Sequence, residues 1–416
     1  MNNSCYAYIV IFLLVFGVSF CEESCKIDID CEDCLPDFLP VVLSHSTTNG
    51  ILDIPNGEEV HFNCHESKFV SYPEKNSIKA FCENGVFRIL DDNMVTVRLC
   101  DLGCQTDHFE DVLHEVEFCS NPYQGRSYQH RHATVFHLAE ICYDTELGQT
   151  TFARMTLSKD NNIVIKPHID DQQVKLSILG NFNMMIDKSN KIEAQKVYDN
   201  NISINKKLRH MLDSQKFNYA DQMLVATKLL PSIFFGNQNG RVSNFVSNKA
   251  AIWRSVAKGN LKSLQDDIVE GFKRNVTNVN ETIEIYVGTH EVLSLNVGDR
   301  AEQHNVYLKP GKKYPVPKYI WTVVYNKHIH KAVALVIVNN PFISISEIRQ
   351  TVFCPSLCNL VNWTRHLKSS NNYERSAYGL VFCCDVHSFA KIVKNTANMF
   401  SNVHTGERGV LKDGLP

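Results

Sequence analysis

A chain of 416 residues can hold two domains, one of them with a sizeable core. Beyond residue 20 no apolar run approaches a membrane-spanning length, which sets aside a helical integral membrane protein. The net charge of -3 conceals an asymmetry: residues 21–120 carry 21 acidic against 6 basic side chains, or -15, and residues 121–416 carry 24 against 36, or +12. Opposite signs predict a boundary near residue 120 and put any polyanion-binding surface on the C-terminal part.

Residues 1–20 hold no Lys, Arg, Asp or Glu, and Ile9 to Phe20 is almost wholly apolar. This predicts a secretory signal peptide over 1–21, cut between Val18 and Glu22. The cysteines suit an exported chain. After Cys5 and Cys21 they group at Cys25, Cys31, Cys34, Cys64, Cys82, Cys100, Cys104, Cys119 and Cys142, then at Cys354, Cys358, Cys383 and Cys384. They read as disulfides whose pairing the sequence leaves open. Cys31-x-x-Cys34 and Cys100-x-x-x-Cys104 have zinc-like spacing but no histidine at finger distance. Sequons at Asn201, Asn275, Asn280 and Asn362 are glycosylation candidates.

Residues 22–120 read as a small, acidic, Cys-rich β domain. Gly57 to Cys64 alternates as a strand does, and Ile78 to Cys82 with Asn84-Gly85-Val86-Phe87 predicts a second strand and a turn. The pattern resembles a complement-control-type module and reads as a structural appendage. From Thr134 a larger domain begins. Its alternating run 283–289 and the β-branched and aromatic run 315–325 predict strands, with a helical region over 192–212. Residues 401–416 are polar and predict a flexible tail. No internal repeat is present.

The stretch from Met223 to Asp267 carries the functional signal. Two strand-like runs and a basic turn region precede a helix whose apolar positions Leu261, Leu264, Ile268 and Phe272 share one face. Arg241, Lys249, Arg254, Lys258 and Lys262 fall there with no acidic residue among them. A second basic run holds Lys309, Lys312, Lys313, Lys318, Lys327 and Lys331, interleaved with Tyr307, Tyr314, Tyr319, Trp321 and Tyr325. Its alternatives are a polyanion-binding groove, or solvated lysines beside aromatics that fill the core.

The order of these segments over 125–400 resembles the DNA/RNA non-specific endonucleases, and their secreted insect members in particular. The resemblance rests on Ser247-Asn248 with Ala250, Ala251, Ile252 and Trp253, on Lys258-Gly259-Asn260-Leu261, on Ile283 to Thr289, on Pro315 to Tyr325, and on Ala332 to Pro341. It implies an α+β fold of the ββα-metal (His-Me finger) type, with an antiparallel sheet flanked by helices. It also implies magnesium-dependent hydrolysis by a histidine base, an asparagine metal ligand and a supporting glutamate. Here Thr227 falls at the base, Ala257 at the metal ligand and Gln265 at the glutamate, while Asn248 is retained. Ala257 offers no side-chain oxygen, and Gln265 is neutral.

His328-x-His330, the group His130, His132 and His137, and His168 with Asp170 and Asp171 are the other metal candidates. No GxSxG, P-loop or HExxH motif is present. The expectation is a secreted, glycosylated binder of double- and single-stranded DNA and RNA with a degenerate catalytic site and no cofactor. Arg241, Lys249, Arg254, Lys258, Lys262, Lys312, Lys313 and Lys318 would meet the phosphates. In character it resembles the tsetse-type salivary nucleic-acid-binding proteins. The alternatives are a working metal-dependent endonuclease and a salivary or venom protein that binds a host protein.

Overall fold

The computed structural model describes residues 23–28, 40–42, 51–64, 67–90, 95–98, 101–105, 109–120, 122–131, 135–158, 194, 197–198, 204–205, 208, 223–275, 281–297, 302–369 and 372–415. The signal peptide, Asn201, Asn280, His168, Asp170, Asp171 and His132 lie outside them.

Among the described residues the acidic part forms a five-stranded antiparallel sheet. Ser77–Glu83 and Val86–Ile89 join at Asn84-Gly85, as the turn residues predict. Its core of Val60, Phe62, Ile78, Ala80 and Ile89 is held by interleaved disulfides, Cys25–Cys82 and Cys64–Cys104. The Cys64 bond removes the zinc alternative for Cys104.

The larger part is built on an eight-stranded antiparallel sheet. From one edge its strands are Val381–Cys384, Lys331–Val338, Pro317–Asn326, Thr282–Val292, Gln149–Ser158, Val135–Asp144, Gln124–Arg131 and Phe109–Leu113. The sheet therefore takes in Phe109–Leu113, which charge alone groups with the acidic part.

Both faces are covered. In Pro317–Asn326, Ile320 and Val324 enter one core, while Tyr319, Trp321, Val323 and Tyr325 enter the other, following strand alternation. Burial on both sides explains the unbroken apolar run Ala332 to Val338. Gly288 lies under Trp321, and a Cβ there would come within 2.3 Å of the indole ring.

Helices and loops clamp the sheet at its first edge. Cys354–Cys384 and Cys358–Cys383 tie the 354–358 loop to the edge strand. The C-terminal residues are part of this packing, which corrects the expectation of a flexible tail. Leu411 N–H donates to Ala332 O at 3.2 Å, and the Trp363 indole donates to Leu411 O at 3.2 Å. Val410, Leu411 and Leu415 are buried. A polar composition hid the buried apolar anchors Val403, Val410, Leu411 and Leu415.

Candidate nucleic-acid interface

Leu224–Lys228 and Lys249–Trp253 pair antiparallel, and the chain then enters the helix Lys262–Asn275. This strand–strand–helix unit packs on one face of the large sheet. Two asparagines fix it there. Asn248 is fully buried: its amide nitrogen donates to Leu230 O and Ser243 O, each at 2.7 Å, and its oxygen accepts Leu230 N–H at 2.9 Å. Asn339 accepts Trp253 N–H at 3.0 Å and donates to Pro317 O at 2.9 Å, which joins the unit to the sheet. Asn248 is thus retained as a brace of the turn between the two strands, with both amide hydrogens committed to backbone.

A buried ion pair stands behind the same turn. Arg126 and Asp111 are both fully buried, 2.6 Å apart, and Ser247 Oγ donates to the other Asp111 oxygen at 2.8 Å. Tyr128 OH lies 2.6 Å from Ser247 Oγ. Burial of charge is tolerated here because each partner is answered by hydrogen bonds.

The three positions expected to carry chemistry sit on this unit. Thr227 is half-buried in the first strand, opposite Ala250. Its hydroxyl faces Val225 O at 3.4 Å. Ala257 opens the irregular turn Ala257–Leu261, where Gly259 leaves helical geometry and a Cβ would lie 2.9 Å from Tyr378 O. Asn260, beside it, is buried and donates to Gly379 O at 2.6 Å. The helix entry is therefore pressed against the 376–379 segment.

Gln265 Nε2 is buried with no hydrogen-bond partner among the described residues. The carboxylates next to it are both engaged. Asp266 pairs with Lys262 at 2.6 Å. Asp267 turns away, fully buried, to accept His366 N–H at 2.7 Å and Leu367 N–H at 3.0 Å. Burial pushes its carboxyl up, against the lowering effect of those two backbone donors.

These side chains do not fit a magnesium site. Magnesium needs oxygen donors in near-octahedral array, and Ala257 with a neutral, inward-turned amide at Gln265 supplies no such set. Among the described residues no group of three or more His, Cys, Asp or Glu is close enough to hold a metal ion. His328 and His330 lie in an exposed turn, and the His130 side chain is outside the description.

The structure divides the basic residues unequally. Lys249 pairs across the strands with Lys228, a residue that sequence reasoning passed over because only the pairing puts it there. Lys249 and Arg254 are half-buried, and Lys258 is exposed on the helix entry. The Arg241 side chain lies outside the description. Lys262 is committed to Asp266, and Lys318 to Glu291 at 2.8 Å. Burial lowers the Lys318 ammonium, yet Glu291 and the Tyr319 ring outweigh it and hold the group above its ordinary value.

Lys312 is exposed at the tip of the hairpin Tyr307–Lys309 and Lys313–Pro315. That hairpin meets the turn of Val135–Asp144 and Gln149–Ser158, where Tyr314 N–H donates to Leu147 O at 2.6 Å. The other side of the same turn reaches the strand–strand–helix unit, through the Thr150 hydroxyl on Ser247 O. Tyr314, Tyr319, Trp321 and Tyr325 are all at most 4% exposed. They fill the core, so an aromatic stacking surface built on them is excluded.

No curated protein matches this sequence. A crystal structure of the EndoG/EndoGI complex, titled for the mechanism of EndoG inhibition, aligns at 12% identity over 51% of this chain and 74% of that one. Its TM-score is 0.30, an overlap too loose to carry an argument about the site. Residues 256–389 match the sequence model of the DNA/RNA non-specific endonucleases, a span that includes Ala257 and Gln265 but not Thr227 or Asn248. The chain thus combines an α+β architecture, an eight-stranded antiparallel sheet carrying a strand–strand–helix unit, with endonuclease-like sequence over less than half its length.

Proposed function

We propose that this protein is a secreted, non-specific binder of DNA and RNA that has lost efficient phosphodiester hydrolysis. The observation that carries the reading is the contrast within residues 224–275. The frame is braced by Asn248 and Asn339 and displays lysines, while Thr227, Ala257 and Gln265 supply neither base nor metal ligand. Lysines on a fixed frame grip phosphates without reading bases, so binding should be blind to sequence and weaken with salt. Lys228, Lys249, Arg254, Lys258, Lys312 and Lys313 are the contacts we assign. Export is supported by the paired cysteines. Of the sequon asparagines, Asn362 is exposed, with its Nδ2 donating to Asp413 Oδ1 at 2.9 Å, a bond that attachment of a glycan would replace.

The test is an overnight incubation of supercoiled plasmid and of single-stranded RNA with the purified protein, in magnesium or in EDTA, resolved on a gel. The reading expects shifted but intact nucleic acid in both. Cleavage in magnesium that stops in EDTA would establish the working endonuclease instead.

A further inference from the structure

One of the histidines near residue 130 finds an unexpected partner. His137, exposed on the Val135–Asp144 strand, lies against His114, which extends the edge strand Phe109–Leu113 by donating its N–H to Gly125 O at 3.1 Å. The two ring centroids are 4.9 Å apart with the planes at 42°. We propose that His114 and His137 form a two-histidine site for a borderline divalent cation, Zn2+ or Cu2+. This site is separate from the endonuclease-like region and does not depend on the reading given to it.

The spacing is the first argument. A metal–imidazole bond of about 2.0–2.1 Å places an ion roughly 3.2 Å from each ring centroid. Ligand angles between square and tetrahedral then separate the centroids by about 4.5–5.2 Å. The observed separation falls inside that range.

Orientation is the second. His137 Nδ1 is 2.8 Å from Ser127 Oγ on the neighbouring strand, which fixes the ring and leaves Nε2 as the ligating nitrogen. A metal-binding histidine held through its other nitrogen is the usual arrangement. Ser127 and His137 stand on paired strands, and His114 is tied to Gly125 immediately beyond the edge strand, so little ordering remains to be done when the ion arrives. Exposed Glu115 follows His114 directly and adds negative potential. Two protein ligands leave the remaining positions to water or to an incoming donor, so the site is open rather than structural.

The untagged full-length protein, stripped with chelator, would be titrated with Cu2+ and followed by electron paramagnetic resonance, then with Zn2+ by calorimetry. The proposal expects one tight equivalent of Cu2+ with hyperfine splitting from two imidazole nitrogens. His114→Gln and His137→Gln should each remove one nitrogen from the spectrum and weaken binding ten-fold or more. Ser127→Ala should weaken it by roughly 10-fold while keeping both nitrogens. Circular dichroism establishes that the variants fold, and the Ser127 variant keeps a readout if either histidine variant does not. An unchanged spectrum and affinity in the double histidine variant would overturn the proposal. So would a signal that disappears instead on replacing His328 and His330.

Discussion

Two basic stretches look alike in sequence and part company in the fold. In the first, Lys228, Lys249, Arg254 and Lys258 sit on one strand–strand–helix unit braced by buried asparagines. In the second, Lys318 and Lys327 are drawn to Glu291 and Glu284, at 2.8 and 2.5 Å, on the adjacent strand Thr282–Val292. The second stretch contains no acidic residue of its own, and its carboxylates arrive through strand pairing. A charge run read along the chain therefore overstates the cations left for a partner. What decides at Lys318 and Lys327 is the sheet neighbour, and the proposed function places its phosphate contacts first on the unit that carries Lys228, Lys249 and Lys258.

The largest effect tests what the aromatics of the second stretch do. Trp321→Ala should destabilise the fold by about 3–5 kcal/mol in a denaturant titration, because the indole is completely buried over Gly288. Its folded fraction should bind nucleic acid as the parent does. Weaker binding at unchanged stability would return Trp321 to a stacking role.

Next, replacing Lys228, Lys249 and Lys258 together by Gln should lower the slope of log affinity against log salt by about 2–3, at roughly 0.7–0.9 for each phosphate no longer neutralised. An unchanged slope would move the interface elsewhere. Lys312→Gln with Lys313→Gln should lower it by about 1–2, which measures whether the hairpin tip joins the same track. The smallest effect belongs to Lys318→Gln with Lys327→Gln. Both ammonium groups are already answered by carboxylates, so the slope should move by less than about 0.5.

Much of the frame was legible because its elements carry strong periodicity. The strand Thr282–Val292 lies where alternation puts it, Pro317–Asn326 where β-branched and aromatic residues crowd, Lys331–Val338 where the family resemblance implies a buried strand, and the helix from Lys262 where helical spacing predicts it. That Ala257 offers no side-chain oxygen is plain from the sequence itself, since a methyl group has no donor atom. Three things were not. Asn248 looks the same in sequence whether it serves a site or a turn, and only its bonds to Leu230 and Ser243 decide. The C-terminal residues dock through Val410, Leu411 and Leu415, too few apolar positions to register against a polar background. The His114–His137 contact reaches across the intervening strand Gln124–Arg131, with no local spacing to announce it.

The most direct measurement is a salt titration of fluorescent double-stranded DNA and single-stranded RNA binding, from about 50 to 300 mM, with magnesium present and the nucleic acid recovered afterwards. The account predicts similar affinities for unrelated sequences, a steep fall with salt that the Lys228, Lys249 and Lys258 replacements flatten, and full-length nucleic acid at the end. No binding at the lowest salt, or a recovered pool of fragments, would contradict it.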